Sequence, residues 1–313
     1  MRLKSNILVA CVFAALSAFA DIMVSDVKVF SGYPWKEVVV GYTITGMAAE
    51  TDIIQLTATD KSANTTYTAR SLTGAVLAEG RHVLRWNAAS EGAKFSSSNV
   101  VFSVSIVPGG VQLWANGPYW AECNVGATKP EECGYYFWWG DTVGYVYDSL
   151  TWNATDGSKT GYSFSTGGCP TYGKDNATLR SQGYIDAAGN LVAKYDAATR
   201  HLGVLWRMPT DAEWDSLESN CTTIWTKRNG VYGRLVSGKG DYVSRSIFLP
   251  ASGFGFGSYI HNFGSQGYYW SSTSYSDSSD GAWFFGIDSD RFTRLKNYRG
   301  LGKSVRPLRG FVQ

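Results

Sequence analysis

Histidine is almost missing from this chain, and cysteine is scarce. Three histidines, His82, His201 and His261, are spread through 313 residues. Their number and spacing do not suit a histidine-rich iron site. Of the five cysteines, no two have the close spacing of a zinc knuckle, which sets aside thiolate-bound zinc. An excess of charge is lacking too. Basic side chains number 28 and acidic ones 26, and without Arg2 and Lys4 the two signs balance. A nucleic acid or an anionic membrane gains nothing from that balance. Beyond the first twenty residues no stretch is apolar enough to span a bilayer. Long amphipathic runs are few as well. Short alternating segments broken by Gly, Asn, Asp and Ser dominate, a β-rich signature.

Residues 1–20 are a different matter. Arg2 and Lys4 precede an apolar run from Ile7 through Phe13 into Ala15, closed by the small-x-small triplet Ala18-Phe19-Ala20. This is the pattern of a cleaved signal peptide, so export is expected, with the mature chain starting near Asp21 and no membrane insertion after cleavage. The chain that remains, with 15% aromatic residues and 35 glycines, suits two domains.

The first is expected over residues 21–108. Alternating runs predict strands at Met23–Phe30, Glu37–Thr45, Ile53–Thr59, Thr65–Arg70, Gly80–Trp86 and Val100–Val107. Two sheets packed face to face would bury the apolar side of each, giving a β-sandwich. It holds no cysteine and only His82, which favours a spacer over a catalyst. The stretch GRHVLRWNAASEG, Gly80 to Gly92, resembles bacterial immunoglobulin-like surface modules. Pro108-Gly109-Gly110 then reads as a linker.

The second domain, residues 109–313, turns to Trp, Tyr, Gly and Ser. Its clearest element is WRMPTDAEWDSL, Trp206 to Leu217. Thr210 followed by Glu213 forms a capping box that opens a helix, with Trp214 and Leu217 on its buried face and Asp211, Glu213 and Asp215 solvated in the first turn. Gly267 to Ser272 alternates bulky and small groups as a central strand packed on one face. Ala282 to Ile287 is its expected neighbour, and Ser304 to Leu308 the closing strand, limited by Pro307.

Six runs in this domain, WAECNVGATKPEECGYYFWWGDT (120–142), DAATRHLGVLWRMPTDAEWDSL (196–217), NGVYGRLVSGKG (229–240), IFLPASGFGFGS (247–258), GYYWSSTSYS (267–276) and YRGLGKSVRPLRG (298–310), occur in an order that resembles the Fibrobacter succinogenes major paralogous domain family. The family is similar to the sulfatase-modifying-factor branch of C-type-lectin-like folds. The resemblance implies an α+β C-type-lectin-like domain, with a twisted antiparallel sheet, two short helices and long loops.

Four cysteines, Cys123, Cys133, Cys169 and Cys221, follow the leader, and an even count in an exported chain favours disulfides in one of three pairings. Cys123 and Cys221 sit inside the family-like motifs while Cys133 and Cys169 look like additions. The resemblance therefore implies bridges Cys123–Cys221 and Cys133–Cys169. Formylglycine-generating relatives of the fold need a cysteine pair late in the domain, and this chain has none after Cys221. Ser271 and Ser272 lack a nucleophile-elbow surround. No catalytic residue, cofactor or metal is expected.

In lectin-like folds the loops on one side carry recognition. Here that implies Phe256, Tyr259, His261, Asn262, Tyr275, Asp277, Arg291, Arg294, Asn297 and Tyr298 as ligand-binding residues. Rigid aromatics beside short polar groups suit stacking on sugar rings or gripping a protein epitope. Asp277, Asp280, Asp288 and Asp290 lack the Glu-Pro-Asn and Trp-Asn-Asp signatures of calcium-dependent lectins, and solvated loop carboxylates are the commoner reading. The expectation is an exported, non-catalytic surface or secreted protein that binds an extracellular glycan or protein. The alternatives are a structural or loop-diversified protein-recognition component and, third, an enzyme of the sulfatase-modifying-factor type.

Overall fold

The computed structural model describes residues 22–46, 52–69, 72–158, 161, 163–277 and 279–310, and the leader expected over residues 1–20 lies outside them. The N-terminal part is built from strands β1 (Met23–Val29), β2 (Val38–Thr45), β3 (Asp52–Asp60), β4 (Thr65–Thr68), β5 (Leu72–Thr73), β6 (Gly80–Trp86) and β7 (Val100–Pro108). They form two antiparallel sheets, ordered β1-β2-β6-β5 and β4-β3-β7. Between them Val38, Val40, Tyr42, Leu56, Ala58, Leu84 and Trp86 are buried, as the period-two alternation requires. This is compatible with the expected sandwich. Only the two-residue β5 escaped the sequence reading.

Asp60, at the end of β3, ties the sandwich together at one rim. Its carboxylate accepts from the backbone N–H groups of Ser62, Ala63 and Ser96 and from the Ser96 hydroxyl. Burial pushes its pKa up, but these hydrogen bonds outweigh burial and bring it down to about 2.

The remainder departs from expectation. Its strands are β8 (Val111–Gln112), β9 (Tyr119–Trp120), β10 (Tyr145–Tyr147), β11 (Trp152–Ala154), β12 (Thr222–Arg228), β13 (Val231–Ser237), β14 (Ser246–Pro250), β15 (Phe254–Phe256), β16 (Tyr259–His261), β17 (Gly267–Ser274), β18 (Gly281–Ile287), β19 (Phe292–Tyr298) and β20 (Leu308–Arg309). The helices are α1 (Asn176–Ser181), α2 (Ala197–Leu202) and α3 (Asp211–Asn220). No single twisted sheet dominates. The strands divide into small antiparallel sheets, β10-β11, β12-β13-β14, β15-β16, β17-β18-β19 and β20-β9-β8. The α+β C-type-lectin-like domain implied by the motif resemblance is therefore not what residues 109–313 adopt: described strands outnumber three short helices, and no sheet there exceeds three strands. The cause is local, since turn residues interrupt pairing every few positions and isolated bridges such as Phe137 with Lys303 and Gly255 with Gly302 replace long ladders.

What unites the small sheets is aromatic packing on two sides of the same strands. In the extended run Tyr135–Trp139, Tyr136 and Trp138 enter a cluster with Tyr145, Trp152 and Phe164, whereas Phe137 and Trp139 enter another with Trp270 and Phe284. Along β17 and β18 the same division recurs. Trp270, Ala282 and Phe284 face one core, while Tyr269, Phe285 and Ile287 face a second built on Trp120, Trp214 and Leu308. The strand at Gly267 is thus buried on both faces, not one, and β18 rather than β17 is central. Gly255 and Gly302 pair because a Cβ on either would lie within 3 Å of the Phe164 ring.

Helix α3 starts where the capping box places it. The Thr210 hydroxyl accepts from the Glu213 N–H at 3.2 Å, and the Glu213 carboxylate accepts from the Thr210 N–H at 2.9 Å. Trp214 and Leu217 are buried. The first-turn acids are not simply solvated: Glu213 takes a bidentate pair from Arg207, and Asp211 and Asp215 both bind Arg294. Thr210→Ala removes one arm of the box, and urea unfolding is expected to show a loss of about 1 kcal/mol.

Candidate functional site

Strand β19 alternates outward Arg294, Lys296 and Tyr298 with inward Leu295. Its last residues pair with the start of β18, Tyr298 opposite Gly281 and Asn297 opposite Ala282. The chain entering that end from β17 carries Tyr275 and Asp277. Together Tyr275, Asp277, Gly281, Lys296, Asn297 and Tyr298 line an open cavity of about 430 Å³. Within it the Lys296 ammonium donates to the Tyr275 hydroxyl at 2.6 Å, and that hydroxyl donates to Asp277 at 3.1 Å. Lys296 also lies 4.2 Å from the centre of the Tyr275 ring, whose edge meets Trp283 at 5.3 Å. Tyr298 is 57% exposed and backed by Tyr172, ring centres 6.5 Å apart. The Asn297 side-chain oxygen accepts from the Tyr298 N–H at 2.7 Å.

Four of the ten expected binding residues, Tyr275, Asp277, Asn297 and Tyr298, are thus brought together. The others are placed elsewhere. Arg291 sits in the β18–β19 turn beside Asp288, at 3.7 Å, six strand residues from Gly281 and so about 20 Å away along β18. Arg294 is committed to Asp211 and Asp215 at 3.0 and 3.1 Å and lies over the Trp283 ring, clamping α3 to the sheet. Phe256 and Tyr259 face each other across the β15–β16 hairpin, 49% and 65% exposed, with Phe263 beyond them at 61%. His261 stacks on Phe254, and its ring nitrogen is 3.2 Å from the Phe256 carbonyl. Asn262 donates to Gln266 at 2.7 Å and to the Tyr268 hydroxyl at 3.0 Å. Sequence reasoning missed Lys296, whose signal was the outward alternation of β19 itself, and Tyr172, which no local pattern links to Tyr298.

The thiols of Cys123, Cys133, Cys169 and Cys221 are all free, so neither Cys123–Cys221 nor Cys133–Cys169 is bridged. Cys221 follows α3 into the Trp120–Trp214 core, whereas Cys123 lies by Arg306 and Glu122. Cys133 and Cys169 border one aromatic cluster, but the Cys169 sulfur donates to the Arg299 carbonyl at 3.2 Å and Cys133 faces the Tyr136 hydroxyl. Burial pushes Cys133 and Cys221 up to about 11 and raises the other two, which keeps all four protonated. Ser271 and Ser272 are buried, and the Ser271 hydroxyl donates to the Trp283 carbonyl at 3.0 Å. Among the described residues no group of three or more His, Cys, Asp or Glu is placed to hold a metal.

The segment after β19 contributes three fully buried cations, Arg299, Lys303 and Arg306. Arg299 donates to the carbonyls of Thr171, Lys174 and Ser279 and lies 4.8 Å from the Trp139 ring centre. The Lys303 ammonium nitrogen has no hydrogen-bond partner among the described residues and rests 3.6 Å from the Trp270 ring centre and 4.8 Å from that of Phe284. Burial drives its pKa well below the usual lysine value. Lys303→Met keeps the shape and removes the ionisable group, and is expected to stabilise the fold by about 1–3 kcal/mol near pH 7. Unfolding the native chain takes up a proton at this amine wherever the folded amine is neutral and the unfolded one charged. Native stability from this residue therefore rises with pH up to the unfolded value near 10, and the advantage of the variant shrinks over the same window. Urea titrations of both proteins at several pH values between 7 and 10 measure it, and a variant less stable at every pH contradicts it.

The described chain is thus a β-rich protein with an open cavity of phenols, amide and paired charges at one sheet end. Residues 236–308 match a family model described as a domain of unknown function (DUF8237). The matched span takes in β14 to β19 and with them the whole cavity wall. No curated protein and no solved structure matches the chain. No helix among the described residues is long and apolar enough to cross a membrane.

Proposed function

We propose that this chain is an exported, non-catalytic surface or secreted binding protein whose C-terminal part recognises a glycan or a protein through its loops. The observation that carries this reading is the cavity at the Tyr275–Tyr298 end, where an exposed phenol stands beside a carboxylate, an ammonium and an amide. Small-molecule sites combine apolar faces with a few convergent polar groups in this way. The leader-like residues 1–20 support export, and the lack of any cysteine after Cys221 supports a non-enzymatic role. A glycan and protein array probed with the full chain tests it. Binding to at least one glycan or protein is expected, with retention on the matching polysaccharide or protein column lost when Tyr259 and Tyr298 are both changed to Ala. An array without a hit on either side defeats the reading.

A second reading, a structural or loop-diversified component that recognises another protein, is favoured by the exposed aromatic hairpin of Phe256 and Tyr259 with Phe263 beside it. Array hits confined to proteins, and lost on Tyr259→Ala but not on Tyr298→Ala, would select it.

A further inference from the structure

We infer that the Tyr275–Tyr298 cavity is a subsite for a neutral pyranose ring, stacked on Tyr298 and hydrogen-bonded by Asp277, Lys296 and Asn297. The inference rests on the binding reading above and narrows its ligand class. Four features of the site carry it.

The first is size. About 430 Å³ falls within the ~300–1,000 Å³ of small-molecule sites, and the cavity is open, as a site for one ring of a longer chain must be. The second is the division of labour between the two phenols. Lys296 covers one face of the Tyr275 ring and Trp283 abuts it edge-on, so Tyr275 is fixed and acts through its hydroxyl. Tyr298 is exposed, with the Tyr172 ring beside it at 6.5 Å and tilted by 56°, so its phenol offers open surface to the C–H face of a sugar.

The third is charge. Among the described residues lining the cavity the charged ones are Asp277 and Lys296, of opposite sign, and both engage the Tyr275 hydroxyl. An anionic ring would meet the Asp277 carboxylate, and the Lys296 charge that could offset it is already balanced by that carboxylate across the Tyr275 hydroxyl, so a uronate or sulfated sugar is disfavoured. The fourth is donor and acceptor balance. Sugar hydroxyls both donate and accept, and the wall supplies Asp277 as acceptor, with the Lys296 N–H groups not given to Tyr275 and the Asn297 amide as donors. The Asn297 oxygen is occupied by the Tyr298 N–H, which leaves its NH₂ group as the donor.

Isothermal titration of the full chain with cellohexaose, mannohexaose, xylohexaose and an oligogalacturonate tests the assignment. At least one neutral hexaose is expected to bind, and Tyr298→Ala to weaken it tenfold or more, about 1.4 kcal/mol. Tyr275→Phe, which keeps the ring and breaks the relay to Asp277, is expected to weaken it a few-fold. The oligogalacturonate is expected to bind at least tenfold more weakly than the best neutral probe. Thermal melts check that both variants fold, which Tyr298→Ala at an exposed position should. A neutral hexaose whose affinity is indifferent to Tyr298→Ala overturns the assignment while leaving a binding protein with its site elsewhere. A preference for the oligogalacturonate overturns the charge argument. Silence from all four probes overturns the neutral-pyranose subsite, and only an array empty of proteins and other glycans as well takes the wider reading with it.

Discussion

Arg306→Ala is expected to cost about 3–5 kcal/mol, measured by urea unfolding, a large share of the ~5–15 kcal/mol that holds a typical domain folded. The guanidinium is fully buried, and the Glu122 carboxylate acts on it through charge alone. Its hydrogen bonds go to oxygens of two separate segments: the Asn124 side chain at 2.8 Å, the Ala121 carbonyl at 2.9 Å and the Glu122 carbonyl from one, and the Phe248 carbonyl at 2.8 Å from the other. Removing the fork leaves these oxygens buried and unpaired, each costing about 1–3 kcal/mol before relaxation. The neighbouring backbone cannot compensate, because Ala121 and Val125 already donate to Pro307 and Val305. Arg306→Lys keeps the charge but not the planar fork, so it is expected to lose at least half as much. An alanine variant within 1 kcal/mol of the native chain would show that water replaces the guanidinium at little cost.

Arg306 also shows where sequence reading stops. It lies in YRGLGKSVRPLRG, where the alternation around Pro307 predicts a strand and nothing predicts that three cations of the segment are enclosed. Arg299 and Arg306 are held by oxygens 20 to 185 positions away in the chain, and Lys303 by the Trp270 and Phe284 rings, which no local pattern encodes. The N-terminal sheets were legible because strands such as β3 and β6 alternate in burial, so period two shows directly in residue type. The aromatic runs of the C-terminal part were legible as strands but not as architecture. Side chains buried on both faces lose the polar half of the alternation, and Tyr135–Trp139 reads as one apolar block although it serves two cores.

The candidate site was half legible for a related reason. Tyr275, Asp277, Asn297 and Tyr298 were among the loop residues that the family resemblance implied, and they do converge. Arg294 could not be told apart from them, because its partners Asp211 and Asp215 lie on a helix some eighty residues earlier. The cysteines misled for the opposite reason. An even count suggests pairing, but where each thiol points is set by packing: Cys169 towards the Arg299 carbonyl, Cys221 into the Trp214 core.

Trp214→Ala should be the other severe change, with an expected loss of about 3–5 kcal/mol in urea unfolding followed by circular dichroism. The indole is fully buried and stacked on Phe285, ring centres 4.7 Å apart and planes within 10°, with Trp120 at 4.9 Å and Tyr269 at 5.9 Å. Truncation removes the shared member of three ring pairs and leaves a cavity that α3 fills only by moving. That helix also holds Arg294 through Asp211 and Asp215, and Arg294 covers Trp283, the ring that fixes Tyr275. Loosening it therefore reaches the cavity by a chain of contacts, not by touching a ligand. Trp214→Phe separates the two effects. It keeps the stack on Phe285 and deletes an indole N–H that has no partner among the described residues, so the expected loss is about 1–2 kcal/mol. Well below its melting temperature its binding should match the native chain's. If the phenylalanine variant folds but binds as poorly as Tyr298→Ala, the coupling from α3 to the cavity is stronger than these contacts imply.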